Sequence, residues 1–65
     1  MTLTLKETVF FRAQAEMDGY LTMKNGTGYT EAEIEQQRDR FCAVYQIIEE
    51  AELETEYEAW KKQNA

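Results

Sequence analysis

Proline is absent from this 65-residue chain, and glycine occurs only at Gly19, Gly26 and Gly28. These are the two residues that most strongly interrupt a helix, so the punctuation of the chain falls in one place, Asn25-Gly26-Thr27-Gly28. Long regular segments on either side of a single turn leave few architectures open. Each segment also begins with a helix-start signal. Thr4-Leu5-Lys6-Glu7 has the capping-box form, in which a hydroxyl accepts from the third helical amide and the glutamate side chain reaches back to the cap. Thr30-Glu31-Ala32-Glu33 repeats it, with Tyr29 and Ile34 placed for a hydrophobic staple.

The periodicity agrees with two helices. At 100° per residue, Leu5, Val9, Phe10, Ala13, Met17, Tyr20 and Leu21 form one broad apolar stripe, and Phe11 lies outside it. Because Tyr20 and Leu21 keep that phase, helix 1 is expected to pass through Gly19 and span about residues 5–24. Residues 25–29 make the turn, with Asn25-Gly26 able to take the left-handed conformation of a helix C-cap. No breaker follows, so helix 2 is expected from about 31 to 63, a rod of roughly 50 Å against about 30 Å for helix 1. The chain is thus predicted to be a single all-α domain over residues 1–65, a two-helix antiparallel hairpin with a long second helix. Helix 1 should run out near residue 51 of helix 2. There the inward stripe of Ile34, Phe41, Tyr45 and Ile48 gives way to Glu49, Glu52 and Glu56 on the same angular face.

Residues 41–48, FCAVYQII, are apolar at every position but Gln46. Ala43 and Ile47 point away from the face that would meet helix 1, and one short helix cannot cover a segment apolar on most sides. Two hairpins are therefore expected to self-associate as a homodimeric four-helix bundle through Phe41, Val44, Ile47 and Ile48, with Phe11 capping the dimer or facing a partner. The alternative is a monomer with a partly exposed apolar patch.

Beyond residue 51, Leu53, Tyr57 and Trp60 share one face, rotated by roughly a quarter turn or more from the core stripe. Glu50, Glu54 and Glu58 flank it on one side and Glu49, Glu52 and Glu56 on the other. An apolar ridge between acidic rails suits a helix that docks on a protein partner, with Leu53, Tyr57 and Trp60 as anchors and Glu50, Glu54 and Glu58 steering. The competing reading is ordinary packing, with Trp60 folded onto a second subunit or onto a bent-back C-terminus.

Composition narrows the function. Thirteen acidic residues against seven basic ones give a formal net charge of −6, unsuited to direct nucleic-acid binding, which depends on cations that neutralise phosphates. No apolar stretch approaches bilayer length and no polybasic helix is present, so no membrane partner is expected. With no secretory leader and Cys42 the lone cysteine, the expected location is cytoplasmic. No disulfide can form within the chain. Cys42 has no histidine to act as its base, and its apolar run implies inert packing.

No enzyme is expected: no catalytic, metal or cofactor residues are assigned. Histidine is absent, which removes the common general base and the usual zinc and di-iron ligand sets. Gly26-Thr27-Gly28 follows no strand, lacks a phosphate-binding lysine and is followed by Glu31 and Glu33, so it reads as a turn. The expected function is a small acidic regulator or adaptor that docks on a protein partner through the aromatic and acidic C-terminal part of helix 2. One alternative is a nucleic-acid-mimicking inhibitor of a DNA- or RNA-handling enzyme, of the kind phages and mobile elements carry. It rests on six glutamates within residues 49–58. A structural bundle subunit of a larger assembly is the other.

Overall fold

A computed structural model describes residues 2–64 of the chain. They form three helices, α1 (Leu5–Asn25), α2 (Glu31–Glu50) and α3 (Glu54–Gln63), with no strand among them. Both capping boxes are formed. The Thr4 hydroxyl accepts from the Glu7 amide at 3.1 Å, and Thr30 does the same for Glu33 at 3.2 Å. In return the Thr4 and Thr30 amides donate to the two glutamate carboxylates at 3.3 and 3.0 Å. The charge of Glu33 is favoured by these bonds, first from the Thr30 backbone and then from its hydroxyl, and its pKa lies below the ordinary value. At the turn the left-handed residue is Gly28, at φ +90°, whereas the cap residue Gly26 is extended. The left-handed residue expected in the cap at Asn25-Gly26 lies instead two positions later, within the turn.

The α1 helix runs through Gly19 for a reason the sequence does not show. Gln37 of α2 reaches the α1 backbone there, donating from Nε2 to the Glu16 carbonyl at 2.9 Å and to the Glu16 carboxylate at 2.8 Å. A Cβ on residue 19 would stand 2.9 Å from that nitrogen. Glu16, only 9% exposed, also accepts from Arg12 Nε at 3.1 Å. A buried carboxylate with these partners keeps its hydrogen bonds, and the close approach of the two helices is the result.

The main departure from expectation lies at residues 51–53. The long second helix stops at Glu50, reverses through Ala51-Glu52-Leu53, and resumes as α3 folded back onto α1. The reversal is a Schellman cap: the Leu53 amide donates to the Ile48 carbonyl at 2.9 Å and the Glu52 amide to the Glu49 carbonyl at 3.0 Å. Glycine normally occupies the left-handed position of this motif, but here it is Glu52, at φ +58°. A side chain in that conformation costs about 1–2 kcal/mol. Folding back offsets the cost, because full burial of one large side chain contributes about 1.5–3 kcal/mol, and Tyr57 on α3 is only 2% exposed. A straight helix would leave that ring in water.

The core consists of Phe10, Ala13, Ile48 and Tyr57, with Val9, Phe41, Val44, Tyr45, Leu53 and Trp60 packed around it. It draws on all three helices. Leu5 and Leu21, both on the expected α1 stripe, are exposed: Leu5 opens the helix, and Leu21 lies past the reach of α3.

Candidate functional site

The residues singled out from the sequence separate into three groups. Tyr57 is the first, and it belongs to the core. Its ring centre is 5.3 Å from that of Phe10, 6.0 Å from Tyr45 and 6.1 Å from Trp60, and its hydroxyl points to Gln14 Oε1 at 3.4 Å. Burial, and then the nearby charge of Glu58, push its pKa above the ordinary value of 10.0. Leu53 is half-buried beside this cluster. An anchor ridge of Leu53, Tyr57 and Trp60 standing free on an overhanging helix is therefore not present in this fold. The sequence held a sign of this in the rotation of that ridge away from the Ile48 face, since two apolar faces out of phase can meet one core only if the helix between them breaks.

The self-association set divides in the same way. Ile48 is fully buried within the chain, and Phe41 and Val44 are half-buried, with Phe41 stacked on Tyr45 at 5.5 Å. Folding back by α3 packs Tyr57 against Tyr45 of α2, whereas Ala43 and Ile47, the residues that called for a second hairpin, are exposed. Ile47 stays 53% exposed. Cys42, expected as inert packing, is an exposed free thiol, on the flank of the α2 face that carries Phe41, Val44, Tyr45 and Ile48.

The third group is accessible and contiguous. Phe11 on α1 is 45% exposed, and its ring meets the edge of Trp60 on α3 at 4.8 Å and 86°. Phe10, one position earlier, holds Trp60 from the core side at 5.7 Å. Phe11 and Trp60 help line a groove of about 580 Å³ whose other walls are Gln14, Asp18, Glu58, Lys61, Lys62 and Asn64. Charge surrounds an aromatic base. On one wall Lys61 pairs with Glu58 at 3.1 Å and lies 5.0 Å from the centre of the Tyr57 ring; on the other, Gln14 donates to Asp18 at 3.0 Å. A volume of this size falls in the range of sites that hold a small molecule or a few side chains of a peptide.

The acidic residues cluster at the adjoining corner. Glu49, Glu50 and Glu52 are exposed where α2 ends, and Glu54, Glu56 and Glu58 follow along α3, with Glu54 half-buried. Lys6 pairs with Glu56 at 2.6 Å, tying the start of α1 to α3. Among the described residues, no three metal-ligating side chains are disposed to hold an ion, and no helix is long and apolar enough to cross a membrane. Comparison with protein-family models, with curated proteins and with solved structures finds no match for the chain.

Proposed function

We propose that the protein is a small regulator or adaptor that works by binding a protein partner, and that the contact is the groove between α1 and α3. Phe11 and Trp60 provide the apolar anchors, and Asp18, Glu58, Lys61 and Lys62 provide a rim of mixed charge; Glu54 and Glu50 lie outside it, toward the α2–α3 corner. The observation that carries this reading is the accessibility of Phe11 beside Trp60. Two adjacent aromatic rings, one exposed and one half-buried, form an apolar spot of the kind that marks a contact surface when polar residues rim it. Aromatic anchors within a charged rim are a common arrangement at protein contacts. The anchor role expected for Tyr57 passes to Phe11.

Phe11→Ser tests this, because it removes the exposed ring and leaves Phe10, Ile48 and Tyr57 in place. Tagged protein and the variant are compared as baits in nuclease-treated lysate of the cells that express the gene, at low and moderate salt, with circular dichroism to confirm that the variant is folded. Retention of a partner at moderate salt by the parent and its loss from Phe11→Ser is the expected outcome. Equal retention by both removes the groove from the reading.

The density of glutamates at the α2–α3 corner favours a second reading, mimicry of a nucleic-acid backbone. Binding of that kind rests on exposed charge and is screened by salt. A partner released at moderate salt, kept by Phe11→Ser and lost when Glu50, Glu54 and Glu58 are changed to glutamine would replace the first reading with this one.

A further inference from the structure

We propose that the α2–α3 joint is a hinge through which α3 is exchanged between two copies of this chain. In the exchanged form the joint straightens, α2 and α3 become one helix, and Tyr57 and Trp60 of each copy occupy the slot on the other copy's α1. No outside partner enters this inference. It rests on the joint and on what holds α3 in place.

Four features of the joint and slot lead to it. First, the joint is three residues, Ala51-Glu52-Leu53, in a stretch from Glu31 to Gln63 that contains neither glycine nor proline; all three residues can continue a helix. Second, the bent form holds a glutamate at φ +58°, a conformation that disfavours side chains and that straightening relieves. Third, α3 is fixed to α1 by side chains: Tyr57 and Trp60 on Phe10, Trp60 on Phe11, and Lys6 on Glu56. None of these contacts depends on which chain supplies α3. Fourth, Tyr57 is the one fully buried residue of α3, and grooves of about 580 and 240 Å³ flank its seat on α1.

Straightening also decides where α3 goes. A fused helix of roughly 50 Å carries Tyr57 away from its own α1, and a joint this short gives no slack for return. The vacated slot and the displaced helix are complementary only to their counterparts in a second copy, which closes the pair with twofold symmetry. Strain in a short hinge favours such exchange. The groove of each half then combines Phe11 of one copy with Trp60 of the other.

The Lys6–Glu56 pair provides the test, since at 2.6 Å a carbodiimide can join the two side chains directly. An equal mixture of heavy-isotope-labelled and unlabelled full-length protein is unfolded, refolded together at high concentration, separated by size and cross-linked, and the 6–56 peptide pair is weighed by mass spectrometry. In the dimer fraction, exchange gives about half of the pairs one labelled and one unlabelled partner, as random closed twofold pairing requires. Glu52→Gly, which removes the strain and weakens a fused helix, should raise the dimer dissociation constant by about a hundredfold, roughly tenfold per hinge. Like-labelled pairs alone in every fraction overturn the proposal, as does a dimer unaffected by Glu52→Gly. A dimer formed through the exposed Ile47 face would give both of these results.

Discussion

The same two helices, α1 and α2, make both ends of the molecule, yet only one end has a closed core. Where α1 begins and α2 finishes, α3 covers the seam, and Phe10, Ile48 and Tyr57 are all at most 2% exposed. At the turn end there is no third element. Tyr20, Met23 and Ile34 are half-buried there, and Leu21 and Tyr29 are 44% and 45% exposed. Between them, the Arg12-Glu16-Gln37 network joins α1 to α2 by hydrogen bonds. Two helices can bury only the narrow strip between them, whereas a third turns the strip into an enclosed volume. Stability and the accessible aromatic pair are thus concentrated at one end.

Substitution should expose that asymmetry most clearly. Tyr57→Ala removes the centre of the closed end, and deleting a buried aromatic ring costs about 3–5 kcal/mol, comparable with the whole stability of a domain this small. Urea titration followed by circular dichroism should show loss of cooperative unfolding. Tyr29→Ala, a deletion of the same size at the open end, should move the midpoint by no more than about 0.5 kcal/mol equivalent. Similar losses from the two would mean that the ends are not energetically distinct.

Alkali should act next, at the closed end. Burial raises the Tyr57 pKa above 10.0 in the folded chain, so folding is disfavoured by the phenolate. The contribution is fully present below the unfolded value and is lost as pH rises through the folded one. Thermal unfolding measured from pH 9 upward should therefore show stability falling above about pH 10, with Tyr57→Phe flattening the dependence. Loss of the alkaline dependence in Tyr29→Phe would assign it to the wrong end.

The most local effect is expected at the open end. Thr30→Ala removes one arm of the α2 capping box, a change that typically costs about 1 kcal/mol. The bonds from Thr30 lower the Glu33 pKa from 4.5. Their stabilisation is present above that unfolded value and declines as pH falls through the folded one. In acid titration of helicity the parent should lose structure at the α2 start over that interval. Thr30→Ala should lack this step.

How much of this was legible in advance depended on distance along the chain. Both helix starts were plain, because a capping box lies within four residues and its bonds are local. The passage of α1 through Gly19 and the turn at residues 25–29 could be read from phase and glycine placement. Phe11 could be recognised as standing outside the core stripe. The α2–α3 reversal was not readable as a boundary, since the chain breaks at Glu52 without proline or glycine and with good helix formers on both sides. Its trace was the phase shift between Ile48 and the Leu53-Tyr57-Trp60 face, which is equally compatible with an exposed docking ridge.

By itself the sequence determined that the chain is helical, where its first two helices start, and that its surface is acidic; propensity, capping and charge act over one or two turns. Only the tertiary structure decided that Tyr57 is core and Phe11 is surface. That choice turns on whether burying an aromatic ring against residues more than forty positions away outweighs a strained backbone at Glu52, a balance between distant groups that no local pattern records.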